Sequence, residues 1–148
     1  DDCWLALRGL RTLAVRLAHH QQAALIVAKW LEGRREVSRV LYPALASCPG
    51  HDIWRRDFSG ANGLLSVVLK PASREGVAAM LDGMRLFRMG FSWGGFESLI
   101  IPFDPRAART ATSWPDTGPC LRLHCGLENT EDLLMDLDAG LARLSAAR

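Results

Sequence analysis

The chain has 148 residues, 49% of them hydrophobic and 23% charged, with a formal net charge of +2. That length fits one domain able to bury its own core without a disulfide or metal staple. The apolar content and balanced charge exclude a disordered chain, and no apolar run nears the roughly 20 residues that span a bilayer. The first residue is Asp1, with no basic segment and apolar stretch behind it, so the expectation is a processed product or a piece of something longer.

In chain order, the first predicted element is one long helix from about Trp4 to Gly33. Leu10, Leu13, Leu17, Ala24, Ala28 and Leu31 recur at helical spacing along it. Asp1 or Asp2 caps its start, Gly33 ends it, and Gly9 weakens it locally. Val37–Leu41 alternates as a short strand. Residues 43–62 read as a loop with a helical turn near 51–57. The apolar run Leu64–Leu69 reads as a central strand covered on both faces. Ser73 caps a helix whose core face is Val77, Met80, Leu81 and Met84. Leu86–Trp93 and Leu99–Ile101 read as strands, the second closed by Pro102. An irregular, proline-bearing loop follows to residue 119, and Leu121–His124 is a further strand. Asn129 or Thr130 caps a last helix with the stripe Leu133, Leu134, Leu137, Leu141 and Leu144. The predicted fold class is α+β: a mostly antiparallel sheet of four to five strands with helices packed on it, preceded by a long helix.

Charge and cysteine usage point to no special chemistry. Residues 1–56 carry a net charge of +4 and residues 57–148 a net of −2, which fits an arginine-rich solvated helix face or a polyanion-binding surface. The basic residues form no dense run, and no aromatics alternate with them as a stacking platform requires. Cys3, Cys48, Cys120 and Cys125 form no CxxC pair. Cys120 and Cys125, an odd number of residues apart along a strand, fall on opposite faces and cannot share a metal. They read as small buried residues of a reducing, cytoplasmic compartment. Adjacent His19 and His20 diverge by about 100° on a helix, a poor chelate.

There is no nucleotide fingerprint and no GxSxG, and the two lysines, Lys29 and Lys70, stand in no environment that reads as reactive. Two places carry more information. In Phe91-Ser92-Trp93-Gly94-Gly95-Phe96-Glu97-Ser98, small residues beside aromatics let backbone approach a ligand or make a packed turn. In Leu121-Arg122-Leu123-His124, a strand arginine among apolar neighbours requires an anionic partner if buried. That partner is either a carboxylate of the chain or one of a substrate.

These residues also carry a resemblance. Arg8-Gly9-Leu10-Arg11-Thr12-Leu13 with Arg16 and Leu17, His51–Trp54 with Arg56-Asp57-Phe58, Gly63–Leu69, Phe91–Leu99, Leu121–Glu128 and the last helix follow the order and spacing of one family. In them the chain resembles the C-terminal part of cystathionine β-lyases, pyridoxal-phosphate (PLP) enzymes of the Cys/Met metabolism family. The resemblance implies a connector helix, residues 1–33, leading from a missing large domain, and a small substrate-binding domain, residues 34–148. It implies that Arg122 grips the substrate α-carboxylate, that Ser92 and its backbone make a second contact, and that Phe91 and Trp93 line the pocket. The family's Schiff-base lysine and its PLP-binding residues belong upstream, so the implied fragment is inactive by itself, with no catalytic, cofactor-binding or metal residue of its own. Trp4, Leu5, Leu7 and Leu10 would pack on the large domain.

The implied parent is a cytoplasmic, tetrameric PLP enzyme of transsulfuration and methionine biosynthesis. It would split cystathionine by β-elimination into homocysteine, pyruvate and ammonia. Aromatic Phe91 and Trp93 stand where cystathionine γ-lyases typically carry Glu and Leu, which favours the β-lyases, although these typically have Tyr in place of Phe91. The alternatives are the same domain of a γ-synthase or γ-lyase and a non-catalytic α+β ligand-binding module. Neither nucleic acid nor membrane is an expected partner.

Overall fold

Residues 1–147 are described by a computed structural model. The helices are α1 (Asp2–Leu10), α2 (Leu13–Glu32), α3 (His51–Asp57), α4 (Arg74–Asp82) and α5 (Thr130–Ala146). The strands are β1 (Val37–Leu41), β2 (Leu64–Leu69), β3 (Arg88–Met89), β4 (Leu99–Phe103) and β5 (Cys120–His124). They form one sheet in the order β1-β2-β5-β4-β3, antiparallel except for the parallel β3–β4 pair. The fold is therefore α+β with a mostly antiparallel sheet, as the sequence pattern predicts.

Sequence periodicity decides which sheet face is buried. Leu65, Val67 and Leu69 of β2 and Leu121 and Leu123 of β5 share a core with Ala24, Val27 and Leu31 of α2, Met80 and Leu81 of α4, and Leu133, Leu137 and Leu141 of α5. Leu121 and Leu123 are wholly buried, and truncating such a leucine to alanine costs about 2–5 kcal/mol. The intervening residues Leu64, Ser66 and Arg122 point to the other face and are only half-buried. Coverage of β2 on both faces is thus incomplete: the helices lie over one side and leave part of the other open.

Capping follows the sequence at α4 and α5 but not at α1, where Asp1 holds the N-cap position without a side-chain capping bond. The Ser73 hydroxyl accepts from the Gly76 amide at 3.0 Å, and the Asn129 side chain accepts from the amides of Glu131 and Asp132.

Three expectations are corrected. The single helix 4–33 is two helices, because the backbone ladder breaks after Leu10. Thr12 closes a tighter turn onto the Gly9 carbonyl, and the Arg16 guanidinium takes that same carbonyl at 3.0 Å. The strand expected over 86–93 shrinks to Arg88–Met89. Its neighbouring backbone groups are taken by side chains instead: the buried Asp136 carboxylate accepts from the amides of Arg85, Leu86 and Phe87. Pro102 does not close β4 but sits inside it, opposite Leu121. Pairing with β3 ends at Ile100, so Pro102 lies on an open edge, where a missing N–H breaks no ladder.

Candidate functional site

Arg122 lies mid-way along β5, opposite Ser66 of β2 and Ile101 of β4, on the face turned away from the helix layer. Its guanidinium donates to the Phe91 carbonyl at 2.8 Å and more weakly to those of Gly90 at 3.3 Å and Ser92 at 3.4 Å. No carboxylate pairs with it among the described residues. Of the two partners left open by the sequence, the internal carboxylate is therefore not what the fold supplies. A half-buried guanidinium holding only neutral carbonyls keeps its charge available for an anion.

The other expected site residues are beside it. Phe91, Ser92 and Trp93 are all exposed, Phe91 at 85% and Trp93 at 58%, and with exposed Phe96 they put apolar surface in water beside the guanidinium. The fold thus brings Arg122 and segment 91–93 to one place.

What shapes that segment was not legible in the sequence. After Ser92 the chain turns at Gly94, whose φ of +80° is a conformation that side chains resist. Side chains distant in sequence then hold the turn. The Gly94 amide donates to His124 Nε2 at 3.1 Å, Arg16 Nε reaches the Gly94 carbonyl at 3.3 Å, and His20 Nε2 lies 3.0 Å from the Gly95 carbonyl. Burial lowers the pKa of both His20 and His124, a tendency only partly countered by their bonds to Gly95. Beyond the turn, the Glu128 carboxylate accepts from the amide and hydroxyl of buried Ser98, both at 2.7 Å. Gly126 is packed so closely on the Phe96 carbonyl that a Cβ there would lie 2.2 Å from it. In the sequence His20 stands out only as half of a poor chelate, and His124 only as a neighbour of Arg122. No spacing rule links residue 20 to residue 124.

Other candidates carry no chemistry. Cys120 and Cys125 are both buried, Cys125 within the helix-side core and Cys120 outside it, as their odd spacing predicts. Burial pushes the Cys125 thiol up to about 12, so it stays protonated. Cys3, expected buried, is exposed on α1. Among the described residues no group of three His, Cys, Asp or Glu could hold a metal. Among the described residues no helix is long and apolar enough to cross a membrane. A cleft of about 900 Å³ between α2 and α3, lined by Leu17, Tyr42, Ile53, Trp54 and Phe58 and by no charged side chain, shares no residue with the Arg122 cluster.

A family model for the Cys/Met metabolism PLP-dependent enzymes matches residues 1–142. The chain is 47% identical to the cystathionine β-lyase of Escherichia coli, over 97% of its own length and 38% of that protein. It is 48% identical to the L-alanine/L-glutamate racemase of Wolbachia pipientis, over 97% of its length and 36% of that protein. A crystal structure of cystathionine γ-synthase from Xanthomonas oryzae pv. oryzae, in complex with cystathionine, superposes with a TM-score of 0.87 at 41% identity, covering 99% of this chain and 39% of that one. The chain belongs to the Cys/Met metabolism PLP-dependent enzyme family. It spans rather less than half the length of these relatives.

The described residues do not by themselves fit PLP. Holding it as a Schiff base needs a lysine at the site. Lys29 is exposed, nine residues along α2 from His20, and Lys70 is exposed beyond the far end of β2 from His124. Neither adjoins segment 91–95.

Proposed function

We propose that this chain is the small, substrate-binding portion of a cytoplasmic PLP-dependent carbon–sulfur lyase. Residues 1–33 would lead in from a large domain, and residues 34–148 would form the small domain. In this reading the parent protein cleaves cystathionine by β-elimination to homocysteine, pyruvate and ammonia, within methionine biosynthesis by transsulfuration. It would work as a homotetramer, with PLP carried by residues outside this chain. Support comes from the family membership, from the E. coli relative, and above all from the Arg122 guanidinium held on the carbonyls of residues 90–92 with no carboxylate partner among the described residues. A planar guanidinium makes two parallel charge-assisted bonds to a carboxylate and so fixes its orientation as well as its position. Ser92 adds a hydroxyl, and Phe91 and Trp93 supply apolar walls.

A second reading is a γ-synthase or γ-lyase, favoured by the likeness to a γ-synthase bound to cystathionine. The products separate the lyases: β-elimination of cystathionine by the intact protein yields pyruvate and homocysteine, whereas γ-elimination yields 2-oxobutyrate and cysteine. The present chain, given PLP and cystathionine, should release no pyruvate above the free-cofactor background. A stoichiometric borohydride-fixed adduct on Lys29 or Lys70 would contradict that.

A further inference from the structure

Two buried histidines from different elements meet over the turn that follows the carboxylate segment. His20 of α2 and His124 of β5 are each 1% exposed, and their rings pack edge to face with centroids 4.9 Å apart. Both address the same turn: His124 Nε2 accepts the Gly94 amide proton at 3.1 Å and lies 3.4 Å from the Gly95 carbonyl, and His20 Nε2 lies closer to that carbonyl, at 3.0 Å. Accepting from an N–H requires His124 Nε2 to be unprotonated, so a neutral His124 carries its proton on Nδ1. Bonding to a carbonyl requires the opposite of His20, whose Nε2 must carry the proton. Arg16 adds a third hold, on the Gly94 carbonyl. Two residues before Gly94 lies Ser92, and Arg122 holds the carbonyls of 90–92 from the other side. Segment 90–95 has no strand neighbour of its own and takes its position from these side chains.

We propose that His20 and His124 are positioning residues, a two-histidine latch that fixes the Gly94–Gly95 turn and thereby sets Phe91, Ser92 and Trp93 against Arg122. The latch stands on its own geometry. Its consequence for substrate rests on the reading of Arg122 as a carboxylate clamp. Protonating His124 puts an N–H against the Gly94 N–H and turns an attraction into a repulsion, so acid opens the latch. The charged and titratable groups around the pair are Arg16 and His19 on α2, Arg122 on β5, and Glu128 beyond it, with Glu97 near Gly95. The arginines disfavour a second positive charge there, while Glu128 favours it. Burial adds to the arginines' effect and keeps the pair neutral near neutral pH.

Amide exchange measured by NMR on the 148-residue chain tests this, with nitrogen shifts reporting the histidine tautomers. At about pH 7.5 the wild type should show His124 protonated on Nδ1, His20 protonated on Nε2, and a protected Gly94 amide, with that protection falling as the pH nears 5. His124→Leu should speed Gly94 exchange roughly five- to tenfold and shift the Ser92–Gly95 resonances, with the core amides of Leu121 and Leu137 unchanged. His124→Gln, whose Oε1 can accept in place of Nε2 but does not titrate, should restore protection and flatten its pH dependence. If His124→Leu fails to fold, His20→Gln and His124→Gln decide by the same readout. Gly94 protection indifferent to pH in the wild type, or a His124→Gln chain that keeps the wild-type pH dependence, overturns the latch. Titration with cystathionine, read at the Arg122 side chain, tests the clamp separately. Silence there removes the substrate consequence and leaves the latch result standing.

Discussion

The Arg122 guanidinium donates to the carbonyl of Phe91 across 2.8 Å, although the two residues are 31 apart in sequence. With the weaker contacts to the Gly90 and Ser92 carbonyls, this bond ties the middle strand of the sheet to a segment with no regular structure, and among the described residues no carboxylate pairs with the guanidinium. If the intact protein cleaves cystathionine as proposed, Arg122→Ala should reduce its kcat/KM by an amount corresponding to about 2–5 kcal/mol, the cost of truncating one partner of a desolvated charge pair. Arg122→Lys keeps the charge but loses the two-pronged geometry and should fall between the two. Steady-state kinetics check both. A lysine variant with wild-type kcat/KM would show that charge alone suffices.

The Asp136 carboxylate is a separable, structural case. It is buried on α5 and accepts from three consecutive amides, those of Arg85, Leu86 and Phe87. Removing it leaves the enclosed Phe87 amide without a partner, at about 1–3 kcal/mol for an unmet buried donor. Asp136→Ala should therefore lower the urea midpoint by an equivalent of roughly 2–4 kcal/mol with little change in m. Because the Asp136 carboxylate bonds only to the amides of residues 85–87 and to none of Arg122 or residues 91–95, the substrate binding proposed for the folded protein should change much less.

These two residues also mark where the sequence was legible. The helices α4 and α5 and the strands β1, β2 and β5 were readable because each is specified by its own neighbours: an apolar period, a Ser73 or Asn129 cap, a terminating proline or glycine. Segment 85–98 was not, because its amides and carbonyls are met by Asp136, Arg122, His124 and Glu128, all contributed from later in the chain. Alternating apolar residues there imitate a strand, while the hydrogen bonds that decide the matter are long-range. The residues of the candidate site came from the resemblance and not from any period. The pair of histidines beneath them had neither source.

Stability should fall with acid above the range where most carboxylates titrate. Burial lowers the pKa of His20 and His124 below their ordinary 6.5. The unfolded chain then binds more protons than the folded one as the pH drops past that value. The stabilisation is complete above about pH 6.5 and is lost as the pH falls through the lowered folded values, with a slope of up to about 1.4 kcal/mol per pH unit for each histidine. Urea unfolding at several values between about pH 7.5 and 5 should show this loss in the wild type. It should be shallower in a His20→Gln/His124→Gln variant. Equal slopes in the two proteins would place the acid sensitivity elsewhere.

The first helix poses the last test. Trp4, Leu5, Leu7 and Leu10 are each more than half exposed, and no residue of α1 is buried. Val15, Leu13 and Leu17 prolong the exposed apolar surface onto the start of α2, until His20 and Ala23 enter the core. Water-facing apolar surface of this extent favours association, at about 25 cal/mol per Å² removed from water. We expect the 148-residue chain to self-associate through this surface at micromolar concentrations, with sedimentation equilibrium showing species above the monomer mass of 16.3 kDa. Replacing Trp4 and Leu7 by Ser touches no buried side chain and should shift the equilibrium toward monomer, with no loss of thermal stability beyond what association contributes. A chain that is monomeric at every concentration, with Trp4 emission characteristic of full solvent exposure, would show that α1 is tolerated in water as it stands. The large-domain contact proposed for it would then need direct support from the intact protein.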